Sequence, residues 1–350
     1  MEIQAVKIVL ASYHTVNIKH GGPRTQMLQT KKHLEALGFA VKLHETLDDS
    51  LTISEADLYH LFASNFAVYD LARHLKSVDQ KFVTSPIFFT RRSPSVIRWT
   101  LRGDRFARKI APGLWSDYGF TRDICNWSAA VLPNTDSERA LLAEGMKIPK
   151  EKLQVIPNGV EERFLHGDPS LFEKEYGVCD FILNVGHIGV ERKNTLSLIK
   201  ALATIDHPAV VIGKVSDTPE GTQCLAEAKK NRNLFIIEGI DHDSELLASA
   251  YASAKVFALP ARYETPGIAA LEAGLSGARI VITPHGGTRD YFEDMAHYVN
   301  PYSIEKIRTG IEKALNTPKD DRLTIHIKNN FLWEQVAKST SDVYHKILDR

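Results

Sequence analysis

Short apolar runs rich in β-branched residues alternate along the chain with longer stretches in which apolar residues recur at helical spacing. The first run, KIVLASY at 7–13, predicts a buried strand, and RTQMLQTKKHLEALG predicts a following helix that ends at Gly38. Similar runs predict strands at 39–45, 56–63, 81–89, 129–135, 153–160, 181–189, 209–214, 234–239, 255–261 and 278–284. This alternation predicts an α/β fold in which helices cover parallel sheets.

The strand–helix alternation begins a second time after Asn158-Gly159. We therefore predict two Rossmann-like domains that face each other across a cleft. The first comprises residues 1–158 and a final helix at 334–350 that crosses back to it, and the second comprises residues 159–333. The length of 350 residues agrees with this division, because a domain averages roughly 150 residues.

Composition excludes several classes of protein. Lys plus Arg and Asp plus Glu each number 43, so the formal net charge is zero, which argues against a nucleic-acid partner. Three widely spaced cysteines, Cys125, Cys179 and Cys224, favour neither a disulfide framework nor a cysteine zinc site. No apolar run approaches about 20 residues, and the first residues predict a strand instead of a signal peptide. We expect a cytoplasmic protein.

The turn after the first strand carries Gly21-Gly22-Pro23. Glycines permit close approach of a ligand to the backbone, and the free N–H groups of a helix start favour anions. A tight turn without a ligand explains these residues equally well. The spacing differs from GxGxxG, so a nicotinamide-dependent dehydrogenase is disfavoured.

Two loops in the second half carry charged residues at the carboxyl ends of predicted strands, where α/β sheets bind ligands. GHIGVERKN at 186–194 brings basic residues that suit a diphosphate, although a solvated basic loop stays open. Glu264 and Glu272 lie eight residues apart, so both carboxylates could face one side of a helix start and accept hydrogen bonds from sugar hydroxyls. A surface helix with two acids is the alternative.

At this point the chain resembles a known family, the retaining glycosyltransferases of family four (glycosyl transferases group 1), which have the GT-B fold. The resemblance runs over 124–310 through ICNWSAAVLPNTDSERALL, VIPNGVEERF, LNVGHIGVERKN, IEGIDHDSELLASAYASAKVFALPARYETPG and LEAGLSGARIVITPHGGTRDYF. It implies a hexosyltransferase of glycan biosynthesis that moves a sugar from a nucleotide diphosphate, with UDP the first guess, to a sugar- or lipid-linked acceptor. It implies no cofactor. We also expect no metal, because the Asp-x-Asp usual in metal-dependent transferases is not placed at a strand end here, and Asp241-His242-Asp243 is interpreted as a solvated turn.

The resemblance also assigns roles to residues. It places Glu264 beside the donor sugar, Glu272 at the ribose hydroxyls, and Lys193 with Arg192 at the donor diphosphate. Gly21 and Gly22 match the family's N-terminal loop, which faces the phosphates and the acceptor, and Glu238–Glu245 match the region against the nucleobase. The complete predicted donor site comprises Gly21, Gly22, His187, Arg192, Lys193, Gly239, Ile240, Glu264, Thr265, Pro266, Gly267, Ile268 and Glu272.

The chain departs from the family pattern at three places. His187 stands where the family usually has Arg, and Arg192 is the candidate substitute. Thr265-Pro266-Gly267 replaces Gly-Phe-Gly, and Pro266 lacks an N–H that could bind the donor. The usual histidine after the third N-terminal strand is absent, which makes His60 the candidate histidine near the acceptor, against the alternative of a structural strand-end histidine.

The segment 90–109 is the strongest charge asymmetry, with six Arg and one Lys against one Asp. Aromatic residues interleave with these charges, which suits peripheral contact with an anionic membrane surface or a lipid pyrophosphate. A solvated helix or loop beside the acceptor site is the alternative. Two other functions also stay open: a nucleotide-sugar 2-epimerase and a non-catalytic sugar-nucleotide binding subunit.

Overall fold

The computed structural model describes residues 5–17, 21–45, 55–110 and 115–349. The chain divides into two compact units, Met1–Gly159 with Trp333–Arg350, and Val160–Leu332. Each limit lies one residue from the predicted domain limit. Both units are α/β with an all-parallel sheet, which confirms the predicted fold class.

The first unit has a five-stranded sheet in the order β2-β1-β3-β4-β5. Its strands are β1 (Lys7–Ser12), β2 (Ala40–Leu43), β3 (Leu58–Phe62), β4 (Phe82–Ser85) and β5 (Ala130–Val131). Its helices are α1 (Gly22–Ala36), α2 (Phe66–Ser77), α3 (Pro94–Ile110), α4 (Asp117–Trp127), α5 (Asp136–Ala140) and the C-terminal α14 (Trp333–Leu348). Asn65, Ser116 and Thr135 begin α2, α4 and α5, because each side chain accepts a hydrogen bond from a backbone N–H of the first turn.

The second unit has a six-stranded sheet in the order β11-β10-β9-β6-β7-β8. Its strands are β6 (Phe181–Val185), β7 (Ala209–Ile212), β8 (Leu234–Ile237), β9 (Ala254–Leu259), β10 (Arg279–Ile282) and β11 (His297–Tyr298). Its helices are α6 (Pro169–Tyr176), α7 (Thr195–Leu202), α8 (Pro219–Ala228), α9 (Glu245–Ser253), α10 (Ile268–Leu275), α11 (Thr288–Phe292), α12 (Ile304–Asn316) and α13 (Arg322–Asn330). The chain builds outward from β6 through β7 to β8 and then returns to β9 on the other side of β6. The topological switch point therefore lies between β6 and β9.

Hydrophobic residues cover both faces of the second sheet. Leu183 and Phe257 belong to the core on one face, and Ile182 and Val256 belong to the core on the other. Successive strand residues point to opposite faces, so a strand buried on both sides is a continuous apolar run. This is why the sequence predicts the central strands well.

Several predicted strands end earlier in the structure or do not form. The segment 153–160 is no strand, since it forms isolated bridges only at its two ends, from Leu153 to Val131 and from Val160 to Leu332. Strand β4 ends at Ser85, whereas the predicted end is residue 89. The chain leaves the sheet at Pro86.

His60 lies in the core of the first unit, which favours the structural alternative over a role near the acceptor. It is buried on β3, its Nδ1 lies 2.6 Å from the Tyr344 hydroxyl, and its Nε2 lies 2.9 Å from the Ser85 hydroxyl. Burial lowers the pKa of His60 to about 3, so the ring is neutral and pairs one N–H and one lone pair with these two hydroxyls. Both ring nitrogens are used inside the unit, which ties α14 to the sheet.

Among the described residues, none of the helices combines the length and the apolar character that crossing a bilayer requires.

Tyr344→Phe tests the structural role of His60. The variant leaves a buried ring nitrogen without its partner, so we expect a loss of about 1–3 kcal/mol in the free energy of unfolding, measured by urea denaturation. Tyr302→Phe, at an exposed tyrosine, is the control and should change the free energy little. An unchanged stability in Tyr344→Phe would contradict the structural role.

Candidate active site

Two loops meet at the switch point of the second unit. The first follows β6 and covers 186–194, and the second follows β9 and covers 260–267. The backbone N–H of Arg262 donates to the Arg192 carbonyl at 2.8 Å, and the Asn194 side-chain amide donates to the Pro260 carbonyl at 2.9 Å. The loops are therefore held together by a backbone and an amide hydrogen bond, independently of any charged side chain.

A buried carboxylate joins the charged side chains of these loops. Oε1 of Glu264 accepts hydrogen bonds from Lys193 Nζ at 2.6 Å and from Arg192 at 2.9 Å. Arg192 also donates to the Tyr263 carbonyl at 3.1 Å, and its guanidinium lies 5.4 Å from the centre of the Tyr263 ring. Both cations bind Oε1, and Oε2 accepts no hydrogen bond from the residues that the structure describes.

The electrostatics of this group favour an anion. The Glu264 side chain is only 7% exposed, whereas Arg192 is 36% and Lys193 is 20% exposed. Burial alone would raise the pKa of Glu264, but the two cations hold it below its ordinary value. Two positive charges against one negative charge leave one net positive charge, which is carried by the two more exposed partners.

The helices that leave the two loops have uncapped N-termini. Helix α7 begins after Asn194 and α10 begins after Gly267, and neither cap residue bonds a first-turn N–H through its side chain. The helices that follow β7 and β8 differ, since Thr218 caps α8 and Ser244 caps α9. Free N–H groups and the positive end of the helix dipole therefore lie at the switch point, where they suit phosphate oxygens.

Gly286 supports Glu264 through close backbone approach. The Glu264 N–H donates to the His285 carbonyl at 3.0 Å, and the Gly287 N–H donates to the Glu264 carbonyl at 3.0 Å. Gly286 lies between these contacts with φ of +101°, and a Cβ there would lie 1.8 Å from the Glu264 carbonyl oxygen. The position requires glycine for both reasons.

The two predicted acids occupy separate hydrogen-bond networks. Glu264 lies in the loop before α10 and Glu272 lies on α10, so the helical offset that was expected to align them does not apply. Glu272 is buried, its Oε1 lies 2.9 Å from His242 Nε2, and its Oε2 accepts from the Tyr251 hydroxyl at 2.6 Å. The hydrogen bond to Glu272 raises the pKa of His242 to about 9.

The other predicted donor-site residues lie at the start of α10, on other loops of the second unit, and in the first unit. Thr265, Pro266, Gly267 and Ile268 connect Glu264 to α10, which places them at the helix start. His187 is exposed on the loop after β6, and Gly239 with Ile240 follows the end of β8. Gly21 and Gly22 belong to the first unit, where Gly21 begins α1 without a side-chain cap.

Sequence analysis missed His242, Tyr251 and Gly286. It assigned Asp241-His242-Asp243 to a solvated turn, but the His242 ring contacts Glu272 and lies 5.9 Å from the Phe164 ring. Tyr251 carries no local signal, because its helix position looks like ordinary core. Gly286 had a usable signal in the PHGG sequence directly after β10.

One group of side chains in the described residues has the spacing of metal ligands. The ligand atoms of Glu161, His242 and Asp243 lie within 4.8 Å of one another. The raised pKa of His242 favours a protonated ring, and a protonated imidazole nitrogen binds no metal.

The chain is similar to known glycosyltransferases. Residues 174–330 match the family model described as Glycosyl transferases group 1. The MMP alpha-(1->4)-mannosyltransferase of Mycolicibacterium hassiacum is 26% identical over 262 residues, which are 70% of this chain and 61% of that protein. The curated relatives are matched over only 40% to 61% of their length. The matched family domain and the names of these relatives are those of glycosyltransferases.

Solved structures show the same fold. The sucrose-phosphate synthase of Thermosynechococcus elongatus superposes with a TM-score of 0.76 at 17% identity, covering 98% of this chain and 99% of that chain. Anabaena HepE in complex with UDP-glucose gives a TM-score of 0.69 at 14% identity, covering 97% of this chain and 99% of that chain. These glycosyltransferase-type structures confirm the predicted GT-B class.

The His242–Glu272 pair should make stability depend on pH. The folded-state pKa of about 9 exceeds the ordinary 6.5, so the stabilisation is fully present below about pH 6.5 and is lost as the pH rises through about 9. We expect the urea midpoint to fall between pH 6.5 and 9.5 more steeply in the wild type than in His242→Gln. Equal slopes for the two proteins would refute the ion pair.

Gly286→Ala should destabilise the second unit more than Gly277→Ala does. Both glycines have positive φ, but a Cβ at Gly277 meets only the flexible end of Lys319 at 3.3 Å. We expect about 1–2 kcal/mol of strain in both variants and a further loss in Gly286→Ala, where backbone atoms overlap. Denaturation curves measure the difference, and equal losses would show that the Glu264 backbone is not held as described.

Proposed function

We propose, from the match of residues 174–330 to the glycosyl transferases group 1 family, that this chain transfers a hexose-type sugar. The donor is a nucleotide-diphosphate sugar, the acceptor is a hydroxyl of a glycan, glycolipid or small molecule, and the anomeric configuration is retained. The observation that carries the proposal is the buried Glu264 carboxylate held by Lys193 and Arg192 at the switch point of the second unit.

The donor diphosphate binds Lys193 and Arg192. Each cation keeps N–H donors beyond those that bind Glu264, because an ammonium has three N–H groups and a guanidinium has five. The remaining N–H donors of Lys193 and Arg192 and the uncapped starts of α7 and α10 suit an anion that carries more than one negative charge. During the reaction these groups stabilise the negative charge that develops on the departing diphosphate.

Glu264 orients the sugar through Oε2, the oxygen that the two cations leave available. A carboxylate accepts hydrogen bonds from sugar hydroxyls, and its negative charge stabilises the positive charge of an oxocarbenium-like transition state. Because burial surrounds Glu264 with few competing waters, both effects are stronger than they would be at the surface. Glu264 therefore depends on the two cations to stay ionised, and it acts on the sugar through Oε2.

The reaction proceeds on one face of the sugar. The bond from the anomeric carbon to the diphosphate oxygen breaks, and its electron pair goes to that oxygen. The acceptor oxygen forms the new bond on the same face, and its proton goes to the departing phosphate oxygen. The separate networks of Glu264 and Glu272 support this route over double displacement, which requires two carboxylates at one bond.

Glu272, Gly239 and Ile240 bind the nucleoside part of the donor. The Glu272 carboxylate would accept hydrogen bonds from the ribose, and His242 with Tyr251 holds it in place. UDP is the first nucleotide to test, and Anabaena HepE, a protein of the same fold, was solved with UDP-glucose. The first unit, with the uncapped start of α1 at Gly21 and Gly22, binds the acceptor.

Two alternative functions make different products. A nucleotide-sugar 2-epimerase converts the donor without an acceptor, and a non-catalytic subunit binds the donor without converting it. Incubation with donor alone, followed by product analysis, separates them from a transferase. The charged donor residues are all present, which favours catalysis over simple binding.

Glu264→Gln and Lys193→Ala test the proposal directly. A panel of UDP-, GDP- and ADP-sugars with candidate acceptors first identifies the donor. We then expect each variant to lower kcat by about 10²–10⁴, because each removes charge stabilisation from the transition state.

The control variant is Lys200→Ala, on the exposed side of α7, which should keep wild-type activity. Circular dichroism and denaturation would show that the variants fold. Near-normal kcat in both folded variants would refute the site, and donor turnover without acceptor would favour the epimerase.

A further inference from the structure

Helix α3 of the first unit has apolar residues on two opposite sides. One side is buried and carries Ile97 and Leu101. The other side exposes Trp99, Phe106 and Ile110, whose side chains are 69%, 67% and 68% exposed. These three lie about two turns and then one turn apart, so they form one row. An exposed row of large apolar side chains marks an interaction surface.

The buried side fixes α3 to the first unit. Ile97 and Leu101 pack in a core with Leu142 and Met146. Gly145 leaves room for this contact, since a Cβ there would lie 2.9 Å from Ile97. The outer row is therefore presented by a helix that the unit already holds in place, and its exposure does not come from a loosely attached segment.

Polar contacts fix the helix further. The Asp104 carboxylate accepts from the Ser116 N–H at 2.9 Å, and the Arg98 guanidinium donates to the Glu144 carbonyl at 2.9 Å. Asp104 is buried, so the single acidic residue of the segment 90–109 is turned inward. The outward charge of the segment is consequently positive.

Cations flank the apolar row on the surface. Arg102 lies 5.0 Å from the centre of the Trp99 ring, and Arg105 and Lys109 are exposed on the same side of the helix. The whole chain has a formal net charge of zero, so this is a local positive field on a neutral protein. We call Trp99, Arg102, Phe106, Lys109 and Ile110 together the α3 outer face.

We propose that the α3 outer face docks on the surface of an anionic lipid bilayer. Aromatic rings favour the interface between headgroups and hydrocarbon, and Arg and Lys reach lipid phosphates while their stems lie on apolar surface. Neither feature alone selects a membrane. The combination of an aromatic row with a one-sided cationic flank matches negatively charged headgroups and excludes a purely apolar partner surface.

This proposal does not depend on the donor site. The α3 outer face belongs to the first unit, whereas Glu264, Lys193 and Arg192 belong to the second. Vesicle binding can be measured with no nucleotide sugar present, so failure of the transferase proposal and failure of this one are distinguishable.

The experiment is sedimentation of the full chain with phosphatidylcholine vesicles, with or without one quarter phosphatidylglycerol. We expect binding to the anionic vesicles only, weakened about 10-fold or more when the salt rises from roughly 0.05 to 0.5 M, because salt screens exposed charges. Three outcomes would overturn the proposal: equally strong binding to neutral and anionic vesicles, no binding to either, or binding that does not change with salt.

Two double variants separate the apolar and the charged contributions. Trp99→Ala/Phe106→Ala should weaken binding about 10-fold or more at every salt concentration. Arg102→Glu/Lys109→Glu should weaken binding too, and it should in addition make binding depend less on the salt concentration. The matched controls lie in the second unit: Phe235→Ala at an exposed aromatic, and Lys229→Glu/Arg232→Glu at exposed cations.

The controls should bind as the wild type does, and circular dichroism should show that all variants fold. Wild-type binding by either α3 variant would overturn the proposal. A second copy of the chain is the competing occupant of this face. Sedimentation velocity that shows a lipid-free dimer, lost in Trp99→Ala/Phe106→Ala, would assign the face to self-association instead.

Discussion

One oxygen of Glu264 holds two cations that come from a different loop, and the candidate site depends on that contact. Lys193 at 2.6 Å and Arg192 at 2.9 Å offset the cost of burying the carboxylate. The carboxylate in turn fixes side chains that would otherwise be mobile. Without the cations Glu264 would be a buried unpaired charge, and without Glu264 the cations would turn to solvent.

The backbone prepares this contact before any charge acts. Parallel strands β6 and β9 are neighbours, so the loops that follow them start side by side at one edge of the sheet. The Arg262 N–H then joins the loops directly, and Gly286 lets the backbone at Glu264 pair with the segment after β10. The ion pair is thus the product of sheet topology and of one position where only glycine fits.

The two histidines of interest show how burial decides what a titratable group does. His60 is enclosed between two hydroxyls, and burial keeps it neutral. His242 is partly exposed but touches a buried carboxylate, which keeps it charged. The same residue type therefore serves as a neutral structural link in the first unit and as a charged partner in the second.

Local sequence determined the parallel α/β architecture, the division near residue 159, and the charged loops after β6 and β9. It could do so because buried strands are continuous apolar runs and because residues adjacent in sequence stay adjacent in space. Tertiary structure alone decided that Arg192 and Lys193 share Glu264, that Tyr251 and His242 hold Glu272, and that His60 points into the core. Those contacts join residues 21 to 284 positions apart, and their partners are chosen by strand order and packing, which no local pattern of residue types encodes.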